Sequence, residues 1–110
     1  MDSIPKKLSG YKQQDKKNEI FSDYHFVTAQ QVTELLEACK YMCHYCTLPV
    51  KMEYTKREGS QWTLDRIDNL MGHNHGNVLI SCLSCNLQRR NRSVKKFVST
   101  KQLVVKKVLT

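Results

Sequence analysis

Four cysteines stand in two Cys-x-x-Cys pairs, Cys43/Cys46 and Cys82/Cys85, and enclose a segment rich in groups that do chemistry. Each pair offers two sulfurs from one turn, and two such turns complete the tetrahedral thiolate shell of a Zn²⁺ ion. The pairs lie about 35 residues apart, far enough for the enclosed loop to carry structure of its own. Inside it run Asp65, Arg66 and Asp68, then His73, His75 and Asn77, while Asn86 follows the last cysteine directly. Carboxylate oxygens suit hard divalent cations, and imidazole exchanges protons near neutral pH. A closed thiolate shell leaves no open position for a substrate. The zinc is therefore read as structural, and the chemistry falls to the enclosed residues.

The charge of the chain points to the class of partner. A formal net charge of +8 favours a polyanion, most often nucleic acid. No Asp or Glu follows Asp68, whereas Arg89, Arg90, Arg92, Lys95, Lys96, Lys101, Lys106 and Lys107 do. Such a block of cations lowers the free energy of a phosphate-lined surface and releases counterions on binding. The N-terminal residues are polar and lysine-rich, unlike a signal peptide, and no stretch reaches membrane-spanning length. A reducing intracellular compartment, cytoplasm or nucleus, is expected, where thiolates bind metal rather than form disulfides. Partners are expected to be nucleic acid, DNA foremost, and no membrane. Oligomeric state stays open.

The elements that must position these groups follow from pattern. Residues 1–19, with Pro5, Gly10 and five lysines, read as a flexible basic arm. Thr28 and Gln31 resemble a capping box, and Val32, Leu35, Leu36 and Cys39 recur at helical spacing, which predicts a supporting helix from Thr28 to about Lys40. Cys39, unpaired by spacing, reads as a small buried hydrophobe. Trp62 to Ile67 reads as a strand with Leu64 and Ile67 inward, and Val78-Leu79-Ile80 as a second strand. Residues 69–76, with two glycines, read as a turn, and Ser84 to about Arg92 as a helix. Ser93 is a candidate cap, and the last ten residues have no clear period. The chain divides into the arm at 1–19, a zinc domain at 20–92 and a basic extension at 93–110. With only 40% apolar residues the core must be small, and a bound metal would supplement it.

Cys43-x-x-Cys46, Leu64-Asp-Arg-Ile-Asp-Asn69, Gly72-His-x-x-Gly-Asn77-Val and Cys82-x-x-Cys85-Asn86 together resemble the HNH endonuclease family of ββα-metal, or His-Me finger, nucleases. The resemblance covers residues 43–90. It implies an α+β fold, a small zinc-stabilised ββα-metal module with an N-terminal supporting helix and a basic C-terminal extension. It implies a metal-dependent endonuclease hydrolysing phosphodiester bonds, with structural Zn²⁺ on the four cysteines and catalytic Mg²⁺ or Mn²⁺ on Asp65 and Asn86. Asn77 matches the asparagine that fixes the motif's loop. Arg66, Arg89 and Arg90 would face phosphate, with Arg92, Lys95 and Lys96 extending the nucleic-acid surface.

One position departs from the family's pattern. Its general base is a His directly after the Asp, and this chain has Arg66 there. A guanidinium stays protonated and accepts no proton from water. His73 or His75 in the adjacent loop could supply the base, with His73 favoured. A metal-bound hydroxide or Asp68 is another route. In a third reading the site binds nucleic acid without cleaving it, as a non-catalytic transcription or packaging factor on a degenerate HNH scaffold.

Overall fold

A computed structural model describes residues 3–89 and 92–109, with side chains through Lys101. In order the chain forms α1 (Ile4–Lys17), α2 (Ala29–Ala38), β1 (Trp62–Arg66), β2 (Val78–Cys82), α3 (Leu83–Arg89) and α4 (Val94–Leu109). It is a small compact α+β protein with four described helices and a two-stranded antiparallel sheet. β1 and β2 pair from Trp62 opposite Cys82 to Arg66 opposite Val78. A two-stranded ribbon cannot stand alone in water and must be covered on its faces. Trp62, Leu64, Val78 and Ile80 are accordingly all buried, with Val27, Val32, Leu36, Tyr45 and Phe97 closing the core around them.

The expected flexible arm is instead a helix. Pro5 stands in the first turn of α1, where its missing N–H costs nothing, and Lys16 and Lys17 complement the C-terminal end of the helix dipole. A set of polar and apolar contacts holds α1 in place. Ile4 is buried, Trp62 Nε1 donates to Ser3 Oγ (2.7 Å), and Lys7 Nζ donates to Gln61 Oε1 (2.7 Å). The Leu64 N–H donates to the Tyr11 hydroxyl at 3.1 Å. Pro5, Gly10 and the lysines read as a flexible arm, whereas Ile4, Leu8, Tyr11 and Asp15 recur at helical spacing along one stripe.

α2 forms as its sequence predicts. Thr28 Oγ1 accepts from the Gln31 N–H (3.1 Å), and Gln31 Oε1 accepts from the Thr28 N–H (2.9 Å), completing the capping box. Val32 and Leu36 are its buried residues. Cys39 caps the C-terminus and is half-buried rather than a core residue. Ile67 is a correction too. It lies beyond the end of β1 and is 46% exposed, because Leu64 and Ile67 cannot share a face at the two-residue period of a strand.

The C-terminal segment is not a detached extension. Ser93 Oγ accepts from the Lys96 N–H (3.2 Å) and caps α4. Phe97 is buried and meets the Tyr45 ring edge-on at 4.8 Å, with Val94 and Val98 beside it. Among the described residues no helix is long and apolar enough to cross a membrane.

Candidate functional site

The four cysteines converge. Their sulfurs all lie within 4.8 Å of one another, and Cys46 Sγ is 3.9 Å from Cys82 Sγ. Tetrahedral Zn–S bonds of about 2.3 Å place sulfurs roughly 3.8 Å apart, so the cluster has the dimensions for one ion. The Tyr45 N–H points at Cys43 Sγ and the Cys85 N–H at Cys82 Sγ, each at 3.4 Å. Such donors stabilise thiolate charge. Without a cation the crowded thiols resist ionising together. The hydrogen bond between Cys82 and Cys43 pulls Cys43 down to about 4 and pushes Cys82 up, and burial pushes Cys85 to about 12. A bound cation removes that conflict by holding all four as thiolates. Cys43 and Cys46 come from the turn after α2, and Cys82 and Cys85 from the junction of β2 and α3, so one ion would clasp the two halves of the fold. Four closely placed cysteines could hold zinc or another metal, consistent with a structural zinc.

A second locus lies along the open edge of β1. An open cavity of about 470 Å³ is lined by Tyr11, Thr63, Leu64, Asp65, Arg66, Asn69, His73 and Asn86, with Leu83 and Leu87 beside them. Asp65, Arg66, His73 and Asn86, singled out in the sequence, therefore share one cavity. Leu64, whose N–H is taken by Tyr11, offers its carbonyl to Asn86 Nδ2 at 3.4 Å. Asn86 Nδ2 also reaches Thr63 Oγ1 at 3.1 Å. With a carbonyl as one partner, the amide nitrogen must face β1, and Oδ1 is left as the free acceptor.

Asn77 staples the loop between the strands. Its Oδ1 accepts from the Asp68 N–H (2.9 Å), and its Nδ2 donates to the carbonyls of Asp68 (3.1 Å) and Gly72 (2.9 Å). Asp68 Oδ1 accepts from the Leu70 N–H at 2.9 Å, and Asp68 is exposed outside the cavity. Arg66 Nη1 donates to the carbonyls of Asn69 (3.2 Å) and Met71 (3.4 Å).

Two expectations need correction. Arg89 does not reach out to phosphate. It is 1% exposed, and its guanidinium donates to Asp65 Oδ1 (2.8 Å) and to the carbonyls of Arg66, Ile67 and Arg92. A buried guanidinium must satisfy its donors, and Arg89 does so on the end of β1. Asp65 is correspondingly committed, since Tyr45 Oη donates to its Oδ2 while Arg89 holds Oδ1. Burial first, then the Asp65 carboxylate, pushes the Tyr45 phenol above its ordinary range, so it remains a donor. His75 is exposed and does not line the cavity; its N–H pairs with the His25 carbonyl at 2.9 Å.

His73 is 3% exposed. Its Nδ1 lies 2.7 Å from Asp15 Oδ1, and its backbone N–H donates to Asp15 Oδ2, also at 2.7 Å. The Tyr11 ring stacks on the imidazole at 4.4 Å. Gly72 makes the approach of Asp15 feasible, since a Cβ there would sit 2.6 Å from Asp15 Oδ2. Burial lowers the His73 pKa below its ordinary 6.5, against the opposing pull of Asp15, and so favours the neutral ring. Asp15 and Tyr11 were missed in the sequence because they sit in the lysine-rich segment, Asp15 58 residues before His73.

Of the expected nucleic-acid contacts, Arg92, Lys95 and Lys96 are exposed, and Arg90 lies outside the described residues. Arg92 also lies over the Phe97 ring at 5.0 Å.

An implied catalytic cation can be tested on its donors. An ionised carboxylate offers about four lone-pair sites. Arg89 and Tyr45 use two, so Asp65 keeps acceptor capacity beside Asn86 Oδ1, and Mg²⁺ commonly takes few protein oxygens and fills the rest with water and phosphate. The positive charge of Arg89 works against tight binding there. Among the described residues, the cysteine cluster is the one place where three or more His, Cys, Asp or Glu ligand atoms converge. Comparison of the chain with protein-family models, curated proteins and solved structures found no match.

Proposed function

We propose that this protein is a metal-dependent endonuclease of the HNH type, acting on phosphodiester bonds in DNA, with a structural zinc on Cys43, Cys46, Cys82 and Cys85. One observation carries this reading: His73, from the loop, lines the same cavity as Asp65, Arg66 and Asn86. The base missing at position 66 thereby has a replacement within the same site. The strand–loop–strand–helix order β1, β2, α3, with the second cysteine pair at the junction of β2 and α3, agrees with a ββα-metal module.

Asp65 and Asn86 would hold Mg²⁺ or Mn²⁺, which when bound neutralises charge on the scissile phosphate. Arg66, half-exposed on the cavity wall, places a permanent positive charge beside that phosphate. His73, held neutral, accepts the proton of the attacking water as the P–O bond to the leaving oxygen breaks. Arg89 orients Asp65 rather than touching substrate. Arg92, Lys95 and Lys96 extend the basic surface beyond the cavity.

The commitment of both Asp65 oxygens to Tyr45 and Arg89 favours the rival reading, a nucleic-acid-binding zinc protein without cleavage. Cleavage of plasmid and branched DNA by the zinc-loaded protein, with Mg²⁺ or Mn²⁺ against EDTA, separates the two. Metal-dependent nicking that falls by about 10²–10⁴-fold in His73→Ala supports the nuclease. Salt-sensitive DNA binding with no nicking in any metal supports the binder.

A further inference from the structure

We infer that Asp15 of α1 is a positioning residue for His73, fixing the imidazole as the Nδ1–H tautomer with Nε2 bare toward the cavity. The assignment rests on two hydrogen bonds to one carboxylate. Asp15 Oδ2 accepts the His73 backbone N–H, a donor that cannot reverse. Asp15 Oδ1 stands 2.7 Å from Nδ1. An ionised carboxylate only accepts, so the ring proton must sit on Nδ1. Among the described residues Nε2 makes no hydrogen bond to protein, and His73 is on the cavity wall. A neutral imidazole with a protonated Nδ1 and a bare Nε2 is the form that accepts a proton from water, and the carboxylate then steadies the imidazolium that results.

The surroundings of His73 reinforce one orientation. Tyr11 stacks on one face of the ring, and its hydroxyl is tied to the Leu64 N–H on β1. The ring is therefore held by α1, which Tyr11 in turn ties to β1. Asp15 itself is 0% exposed, and α1 brings no basic side chain to it in exchange, although five lysines lie on the same segment. A buried carboxylate is costly unless its oxygens are satisfied, and here those oxygens face His73. The charged and titratable groups around the imidazole are Asp15 and Tyr11 from α1, and Asp65 and Arg66 from β1. On this view α1 belongs to the site, and the segment that looked like a loose arm sets the protonation of its base.

The catalytic meaning of this inference rests on the nuclease reading; the tautomer itself does not. Asp15→Asn tests both with little change of shape. The His73 N–H must still be accepted, so the amide oxygen turns to it and the amide NH₂ turns to Nδ1. Nδ1 then becomes the acceptor and the proton moves to Nε2. Nitrogen-15 correlation spectra of the imidazole in the full-length, zinc-loaded protein read this directly. The expected result is Nδ1–H in the wild type and Nε2–H in the variant. An Nε2–H or fully protonated His73 in the wild type at neutral pH overturns the inference without recourse to any variant. So does an Asp15→Asn protein that keeps the wild-type tautomer. In the cleavage assay kcat should fall by about 10²–10⁴-fold with KM little changed, and the pH profile of kcat should lose its His73 limb. An inverted tautomer with unchanged kcat would remove the positioning role. A wild type that does not cleave sinks the nuclease reading alone, and the spectra still decide the tautomer.

Discussion

Arg89 and His73 show how far a buried charge is defined by its neighbours. Arg89 is encased with its guanidinium on Asp65 and on three backbone carbonyls. Removing one partner of a buried pair leaves the other charged and unsolvated, so Arg89→Met is expected to lower unfolding free energy by about 3–5 kcal/mol in urea titration. His73 is perturbed in the opposite sense, toward the neutral form. Its folded pKa is below the ordinary 6.5, so between the two values the unfolded chain binds more protons than the folded one. Stability due to this residue is therefore complete above the unfolded value and is lost as pH falls through that interval. Urea midpoints should drop as pH falls below about 6.5, and the drop should be smaller in His73→Gln.

At the scale of elements, the sheet has too few strands to cover itself; α2 and α3 pack on it, and α1 and α4 add contacts around that core. α1 with its N-cap contributes Ser3 to the Trp62 indole, Tyr11 to the Leu64 N–H and Asp15 to His73. α4 contributes Phe97 against Tyr45, whose hydroxyl supports Asp65. Removing residues 1–17 should thus do more than shorten an arm. Trp62 is the only tryptophan in the chain and is 0% exposed, so its emission should shift to the red on truncation. An unshifted spectrum would mean that α1 does not pack on β1. The cap of α2 offers a milder change at this scale. Thr28→Ala removes the side-chain acceptor for the Gln31 N–H, and about 1 kcal/mol of stability is expected to go with it in thermal denaturation.

For the whole molecule, the cysteine cluster ties the turn after α2 to the start of α3, on either side of the cavity-bearing hairpin. Metal bound there contributes folding free energy directly, because the unfolded chain has no such site. A strong chelator should unfold the protein, as read by far-UV circular dichroism, and one metal per chain is expected by elemental analysis. Cys82→Ser should abolish both the metal and the cooperative transition. A protein that stays folded and cooperative after complete metal removal would exclude a structural role for the cluster. The charge of +8 makes a separate expectation. On the proposed reading, affinity for DNA should fall linearly in log–log form with salt, at a slope close to the number of phosphates neutralised.

What the sequence determined by itself were the features carried by local spacing. Each Cys-x-x-Cys pair, the capping box at Thr28 and Gln31 and the β1 and β2 segments are set by residues within a few positions of one another. Such features need only the geometry of one turn or one strand. The tertiary structure decided which polar groups face which. Whether Arg89 meets solvent or Asp65, whether His73 or His75 enters the cavity, and whether the lysine-rich start packs or drifts all depend on contacts across long stretches of chain. Asp15 and His73 are 58 residues apart, and no periodicity links them. A buried ion or imidazole takes its role from the partners that desolvate and satisfy it, and those partners are known only once the chain has closed on itself.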